Sequence, residues 1–140
     1  MVKSGLVCWS VEDVPREIIE EYSSGKCMWF AVALHRILGW DIRATIEIDT
    51  IVGRSYLGHA WVESPTRERL DIAGPKGPED FLQWGDPVVR FTEEEFARFL
   101  GGINEAEVER ARRIALSLAQ VSAGANVPYF EAATCQTGEL

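Results

Sequence analysis

The stretch GKCMWFAVALHRILG, residues 25–39, opens with a glycine and continues as an apolar run with helical periodicity. Apolar side chains that recur every three or four residues form one stripe along a helix, and such a stripe packs against a core. We therefore predict a helix over about residues 26–38, with Gly39 as its C-terminal stop. Cys27 lies on this stripe in the first turn, so its thiol is expected to face the interior or the floor of a cleft. The other members of the stripe are Phe30, Ala31, Leu34, Ile37 and Leu38.

Four β-strands are predicted after this helix. Residues 42–48 alternate in polarity and are rich in β-branched side chains, whereas residues 49–56 contain a glycine and indicate a loop. Residues 59–63 and 69–73 are expected to pair as a hairpin, because a proline-containing turn separates them. Residues 87–91 are typical of a fourth strand.

Helices are predicted on both sides of this sheet. Residues 15–22 indicate a short helix with proline in its first turn. Thr92 and Glu95 have the spacing of a capping box, which predicts a helix start at that point. A second C-terminal helix is expected over residues 104–122, with Gly124 as its stop.

The remaining segments give weaker signals. The first dozen residues indicate a short edge strand or a packed arm. Residues 74–78 predict a loop, and residues 80–84 predict a helical turn. The last sixteen residues, 125–140, show no clear pattern and are expected to form a tail.

The whole chain of 140 residues is expected to form one domain of the α+β class. In this arrangement the helix that bears Cys27 packs on a small antiparallel sheet and is followed by C-terminal helices. We place the functional core at about residues 15–91, the helical C-terminal part at 92–124 and the tail at 125–140.

The net charge and the cysteine content argue against several classes of partner and site. The formal net charge of -8 argues against nucleic acid and against an anionic membrane as partners, since both need clustered Lys and Arg. The three cysteines, Cys8, Cys27 and Cys135, show no CxxC pair, so neither a disulfide framework nor a metal site is predicted. Cys8 and Cys135 are interpreted as structural or incidental. No cofactor is expected, and the oligomeric state is left open.

The N-terminus contains no apolar stretch long enough for a signal peptide or a membrane span. A reducing, cytoplasmic setting is therefore the expectation. Export by a route that needs no cleavable signal stays open as an alternative.

Three residues of types used in nucleophilic catalysis follow one another along the chain. Cys27 stands at a predicted helix N-terminus, where unpaired N–H groups and the helix dipole favour a thiolate. The same N–H groups can stabilise an oxyanion, which is worth roughly 3–4 kcal/mol per donor. His59 lies on a predicted strand and Asp71 on the next. We predict Cys27 as nucleophile, His59 as base and Asp71 as the acid that orients the imidazole.

Distance decides between the two histidines of the chain. His35 lies on the same predicted helix as the thiol and about 12 Å from it, which is out of hydrogen-bond reach. His59 and Asp71 are separated by an even number of residues, so an unbulged hairpin with an odd-length loop places both on one face. Glu63 shares that face but lies about 13 Å along the strand. Asp49 is a rival if its strand neighbours the hairpin.

Each of these residues also has a structural interpretation. A lone cysteine on an apolar helix face is commonly a buried core residue. A strand histidine is commonly a satisfied rim residue, and an aspartate before Gly-Pro commonly forms a turn. Their order along the chain favours catalysis over these interpretations. Three neighbours, Trp29, Trp61 and Lys26, are candidate substrate-binding residues.

The motifs Gly25–Ala31 (GKCMWFA), His59–Val62 (HAWV) and Leu70-Asp71 resemble the papain-like superfamily, and most closely its transglutaminase-like branch. The resemblance covers about a third of the chain. It implies a Cys-His-Asp triad, a thioester intermediate and no metal cofactor. Small glutamine deamidases and bacterial effector domains are similar as well.

The resemblance implies a cysteine-dependent acyl-transfer enzyme that acts on a carboxamide or peptide bond of a protein or peptide substrate. Two features depart from the family pattern. No glutamine precedes Cys27 to complete an oxyanion hole, and Ile72 stands where a proline usually follows the aspartate. The alternative is a catalytically idle papain-like fold that serves as a protein-binding or inhibitory module.

Overall fold

The computed structural model describes residues 2–3, 7–11, 14–76 and 87–121, which form an α+β arrangement as predicted. The helices are α1 Arg16–Ser23, α2 Cys27–Leu38, α3 Glu93–Leu100 and α4 Glu105–Leu118. The strands are β1 Val2–Lys3, β2 Val7–Trp9, β3 Asp41–Asp49, β4 Arg54–Glu63, β5 Arg69–Asp71, β6 Gly74–Lys76, β7 Val88–Phe91 and β8 Ala119–Val121.

Two antiparallel sheets organise these strands. The larger has the order β6-β5-β4-β3-β7, and the smaller has the order β1-β2-β8. Helix α2 contacts α1, α4 and strands β3, β4 and β5, so it is the element around which both the sheet and the other helices are arranged. No helix in the described part of the chain is long and apolar enough to cross a membrane.

Helix α2 forms where the sequence predicts it, because its apolar stripe is buried and its end is capped. Gly39 adopts a left-handed conformation with φ of 75°, and its N–H donates to the carbonyl of His35. This left-handed conformation is accessible to glycine at little cost. Burial extends beyond the predicted stripe, and the buried residues of α2 are Cys27, Phe30, Ala31, Val32, Ala33, Leu34, Ile37 and Leu38.

The smaller sheet is joined to the larger one through Trp9. This side chain is 1% exposed, and its Nε1–H donates to the Ile72 carbonyl at 2.8 Å. Its ring meets that of Phe30 edge to face, with the centroids 6.1 Å apart. Trp9 of β2 therefore binds the segment that follows β5 and at the same time packs on Phe30 of α2.

The C-terminal helices begin at side-chain caps, as predicted. Thr92 and Glu95 form a reciprocal capping box at α3, and Asn104 accepts the Glu107 N–H at 3.2 Å at the start of α4. Arg36 on α2 connects both of these helices to α2. Its guanidinium bonds to the carboxylates of Glu93 and Glu105 at 2.7 Å each.

Three predictions of local structure were wrong. Residues 54–56 belong to β4 and are not part of a loop; all three side chains are exposed, so this end of the strand shows no alternation of buried and exposed residues. Residues 74–76 form β6, an edge strand, and edges tolerate proline. Residues 119–121 form β8 rather than the end of a helix, because pairing with β2 overrides their helical propensity. The predictions for residues 80–84, Gly124, Cys135 and 125–140 lie outside the described residues.

Candidate active site

Cys27 is the first residue of α2 and is 2% exposed. The chain reaches it through a tight turn, in which the Lys26 N–H donates to the Glu21 carbonyl at 3.0 Å. The turn continues with the Cys27 N–H, which donates to the Ser24 carbonyl at 3.3 Å. No side chain caps this helix end. The thiol therefore sits at a helix N-terminus and faces the interior, both as predicted.

His59 and Asp71 are brought together by the antiparallel pairing of β4 and β5. His59 Nε2 lies 2.8 Å from Asp71 Oδ2. In the observed register Val62 is opposite Leu70. His59 and Asp71 are therefore diagonal neighbours on one face of the hairpin. The second carboxylate oxygen, Oδ1, accepts the N–H of Ala73 at 2.9 Å, which fixes its orientation. The predicted histidine–aspartate pair is thus present in the structure.

The imidazole of His59 also lies close to the Cys27 thiol. Burial lowers the pKa of His59, but its hydrogen bond to the Asp71 carboxylate and the nearby Cys27 thiol outweigh burial and raise that pKa to about 9. Because Nε2 is used by Asp71, the other ring nitrogen, Nδ1, is the one available to Cys27. The pKa of one imidazole therefore depends on both the thiol and the carboxylate.

Trp61 covers this imidazole. Its ring stacks on that of His59 with centroids 6.0 Å apart and planes inclined by 27°, and the side chain is 1% exposed. The Arg69 guanidinium lies 5.4 Å from the centroid of the Trp61 ring. Trp61 thus packs against one face of the imidazole, and its role toward a substrate stays a prediction. Trp29 is partly buried and packs against the core, so its role toward a substrate stays a prediction.

Lys26 forms ion pairs that its position in the sequence does not predict. Its ammonium pairs with Glu21 at 2.8 Å and with Glu107 at 3.0 Å, and these hydrogen bonds raise the pKa of Lys26. Arg110 of α4 also binds Glu21. The residue before Cys27 is therefore held between α1 and α4, and a substrate anion would have to displace a carboxylate there.

The rival side chains are engaged elsewhere. His35 Nδ1 lies 2.7 Å from the Trp40 carbonyl oxygen, near the end of α2. Asp49 accepts the N–H groups of two residues in the β3–β4 turn. Glu63 lies within 3.6 Å of Arg43 and 3.5 Å of Arg69. The structure thus places Cys27, His59 and Asp71 near one another. The rival side chains make structural contacts elsewhere.

An oxyanion at this site would depend on backbone donors. Three of the four polar side chains of residues 22–26 are already engaged, so each of these three could serve as an oxyanion donor only by losing a contact. The Cys27 N–H makes only a long bond to Ser24, which an oxyanion could replace. The engaged side chains are Tyr22, which accepts from Arg110, Ser24, which donates to the Glu20 carbonyl, and Lys26.

Metal-ligating side chains do not cluster near these residues. Within residues 2–3, 7–11, 14–76 and 87–121, no group of three or more His, Cys, Asp and Glu side chains is placed to hold a metal ion.

Sequence reasoning missed one feature of the site, the bulge that Gly58 forms beside His59. Strands β3 and β4 change register between Thr45 and Ile46, and Thr45 Oγ1 accepts the His59 N–H at 3.0 Å. The signal was the glycine just before the histidine, where the strand alternation breaks.

Comparisons of the chain with models of known protein families, with curated protein sequences and with solved structures gave no significant match. Function is therefore inferred from the sequence motifs and from the geometry of the site.

The raised pKa of His59 predicts how stability depends on pH. The folded-state pKa of about 9 lies above the ordinary 6.5, so the stabilisation is complete below pH 6.5 and is lost as pH rises through 9. Its size is up to about 3 kcal/mol. We expect the difference in unfolding free energy between the wild type and His59→Gln to shrink between pH 6.5 and 9.5. Urea titrations followed by tryptophan fluorescence measure this difference, and one that grows with pH would contradict the assignment.

Proposed function

We propose that the protein is a cysteine-dependent acyl-transfer enzyme with a papain-like, transglutaminase-like core. Its substrate would be a carboxamide or peptide bond. The observation that carries the proposal is the pair of His59 and Asp71, with His59 Nε2 2.8 Å from the carboxylate and the Cys27 thiol close enough to help raise the pKa of the same imidazole. This order of nucleophile, base and orienting acid is the general logic of thiol and serine acyl transfer.

The reaction would proceed through a thioester. The Cys27 thiolate attacks the carbonyl carbon, and the His59 imidazolium gives its proton to the departing nitrogen as the C–N bond breaks. The resulting thioester is then attacked by water or an amine, and His59 takes the proton from that nucleophile. When the C–S bond breaks, the thiolate and the imidazolium are restored. Asp71 stabilises the imidazolium and orients the ring throughout.

The substrate class follows from the resemblance of the sequence motifs. Small glutamine deamidases share that resemblance, so we favour hydrolysis of a single amide in a protein or peptide substrate. A glutamine side chain is one such amide. A transglutaminase reaction differs only in the second nucleophile, because an amine then replaces water.

The rate of Cys27 alkylation by iodoacetamide tests this proposal. In the wild type we expect rapid alkylation, because the imidazole beside the thiol can accept its proton. In His59→Ala this proton acceptor is removed. The alkylation rate at pH 7 should then fall by at least about tenfold.

Peptide mass spectrometry follows Cys27 and His35→Ala serves as the control, because His35 lies on the same helix but bonds to Trp40. Equal pH profiles for the wild type and His59→Ala would overturn the enzyme proposal. If the linkage is present, release of ammonia from glutamine-bearing proteins is the next measurement.

A second candidate is a catalytically idle binding or inhibitory module on the same fold. The burial of the thiol favours it, since only 2% of Cys27 is exposed. For this candidate we expect slow alkylation that follows an ordinary thiol titration and is unaffected by loss of His59. The alkylation experiment therefore separates the two functions.

A further inference from the structure

The backbone around His59 departs from a regular antiparallel ladder. Thr45 is opposite His59, but its neighbour Ile46 is opposite Leu57. Gly58 is therefore an extra residue in β4, and it forms a β-bulge directly before the predicted base. Bulges occur preferentially beside active sites, where they redirect a side chain.

Gly58 has no room for a side chain. A Cβ atom at this position would lie 2.5 Å from Thr45 Oγ1 and 3.0 Å from a carboxylate oxygen of Glu47. The first distance is far below an ordinary contact between these atoms. Absence of a side chain at Gly58 therefore lets the Thr45 hydroxyl approach the backbone of β4 closely.

The Thr45 hydroxyl uses this room to bind the backbone of the base. Its Oγ1 accepts the His59 N–H at 3.0 Å. A bulge interrupts the ladder of backbone hydrogen bonds, and a partly buried N–H that loses its partner is costly. The side chain of Thr45 thus replaces a backbone carbonyl as the acceptor for His59.

The bulge also changes which face each side chain occupies. Ala60 and Val62 are part of the hydrophobic core, and Leu57 packs against the same core. In a regular strand, Leu57 and Ala60 would point to opposite faces, because they are three residues apart. The extra residue allows both to face the core, while His59 is placed on the face that carries Asp71 on β5.

We propose that Thr45 and Gly58 are positioning residues for His59, with the Thr45 hydroxyl holding the backbone of the base and Gly58 providing the space. The inference rests on the proposed function, because it concerns the same imidazole. Neither residue touches the reacting atoms, so both act through the placement of the ring. Their loss should leave the fold in place but weaken the contact of His59 with Asp71 and Cys27.

Charged groups around the imidazole stay the same in the variants that test this inference. Asp71 faces His59 from β5, Cys27 faces it from α2, and the Glu47 carboxylate lies beside Gly58 on β3. Substitution at Thr45 removes none of these charges. A change in the titration of His59 would therefore report a change in its position.

The test uses Thr45→Val, which keeps the shape of the side chain but removes the acceptor, and Thr45→Ser, which keeps the hydroxyl. Thr50→Val in the β3–β4 turn is the control. NMR measures the titration of the His59 ring and the exchange rate of its backbone amide. We expect Thr45→Val to lower the His59 pKa toward its ordinary value and to speed exchange of its amide at least tenfold. Thr45→Ser and Thr50→Val should match the wild type.

The outcomes separate this inference from the proposed function. If His59 titrates alike in the wild type and Thr45→Val, the inference is overturned whatever the reactivity of Cys27. If His59 shifts in Thr45→Val while Cys27 is unreactive in the wild type, the positioning role stands and the enzyme proposal fails. An unprotected His59 amide in the wild type overturns the inference even if Thr45→Val does not fold.

Discussion

Replacing Asp71 by asparagine is expected to slow the acylation of Cys27 by p-nitrophenyl acetate by about 10²- to 10⁴-fold. The carboxylate oxygen that lies 2.8 Å from His59 Nε2 would become an amide group. An amide carries no charge to stabilise the imidazolium, and its NH₂ group can force the wrong tautomer. Cys27 would then lose its proton acceptor while the shape of the site stays nearly unchanged.

The burst of p-nitrophenol measures the acylation step, and mass spectrometry of Cys27 locates the acyl group. Asp49→Asn is the matched control, because that carboxylate accepts two N–H groups in the β3–β4 turn and lies outside the triad. We expect Asp49→Asn to keep the acylation rate within about threefold of the wild type. If both variants react at the wild-type rate, Asp71 has no part in activating the thiol.

The change with the largest expected effect on stability is Phe30→Ala, which should lower the free energy of unfolding by about 3–5 kcal/mol. Phe30 is 1% exposed and lies one turn after Cys27 on α2. Its ring contacts those of Trp9 and Tyr22, with centroids 6.1 Å and 5.5 Å away. Its removal would leave a cavity where α1, α2 and the small sheet meet.

Guanidinium titrations followed by far-UV circular dichroism measure this loss. Phe99→Ala is the matched control, since the same substitution there removes a ring that is 37% exposed and packs mainly on Phe91. We expect the control to lose about 1 kcal/mol. A smaller loss at Phe30 than at Phe99 would show that the core is not centred on α2.

The helices could be predicted from the sequence because their signals are local. The apolar stripe of α2, the left-handed Gly39 and the capping box of Thr92 and Glu95 all act within a few residues of one another. The same holds for the alternation that places His59 and Asp71 on one face. The sequence alone therefore predicted that His59 and Asp71 share a face, but it left Asp49 open as a rival for the orienting acid.

The features of the structure that could not be predicted from the sequence depend on contacts between distant parts of the chain. Strand β8 forms from residues with helical propensity because β2, more than a hundred residues earlier in the chain, offers it a partner. The sequence predicted Lys26 as a candidate substrate-binding residue, but in the structure its ammonium pairs with the carboxylate of Glu107 on α4. Neither partner is visible in the local pattern, since both are brought close only when the chain folds.

The sequence by itself determined which residues form the candidate triad, because helix position and strand parity are properties of short segments. Only the tertiary structure decided how they meet. The Gly58 bulge and the Thr45 hydroxyl on the His59 N–H both depend on the register between distant strands. A change of one residue in strand register turns a side chain to the opposite face of the sheet, and local propensity contains no information on that choice.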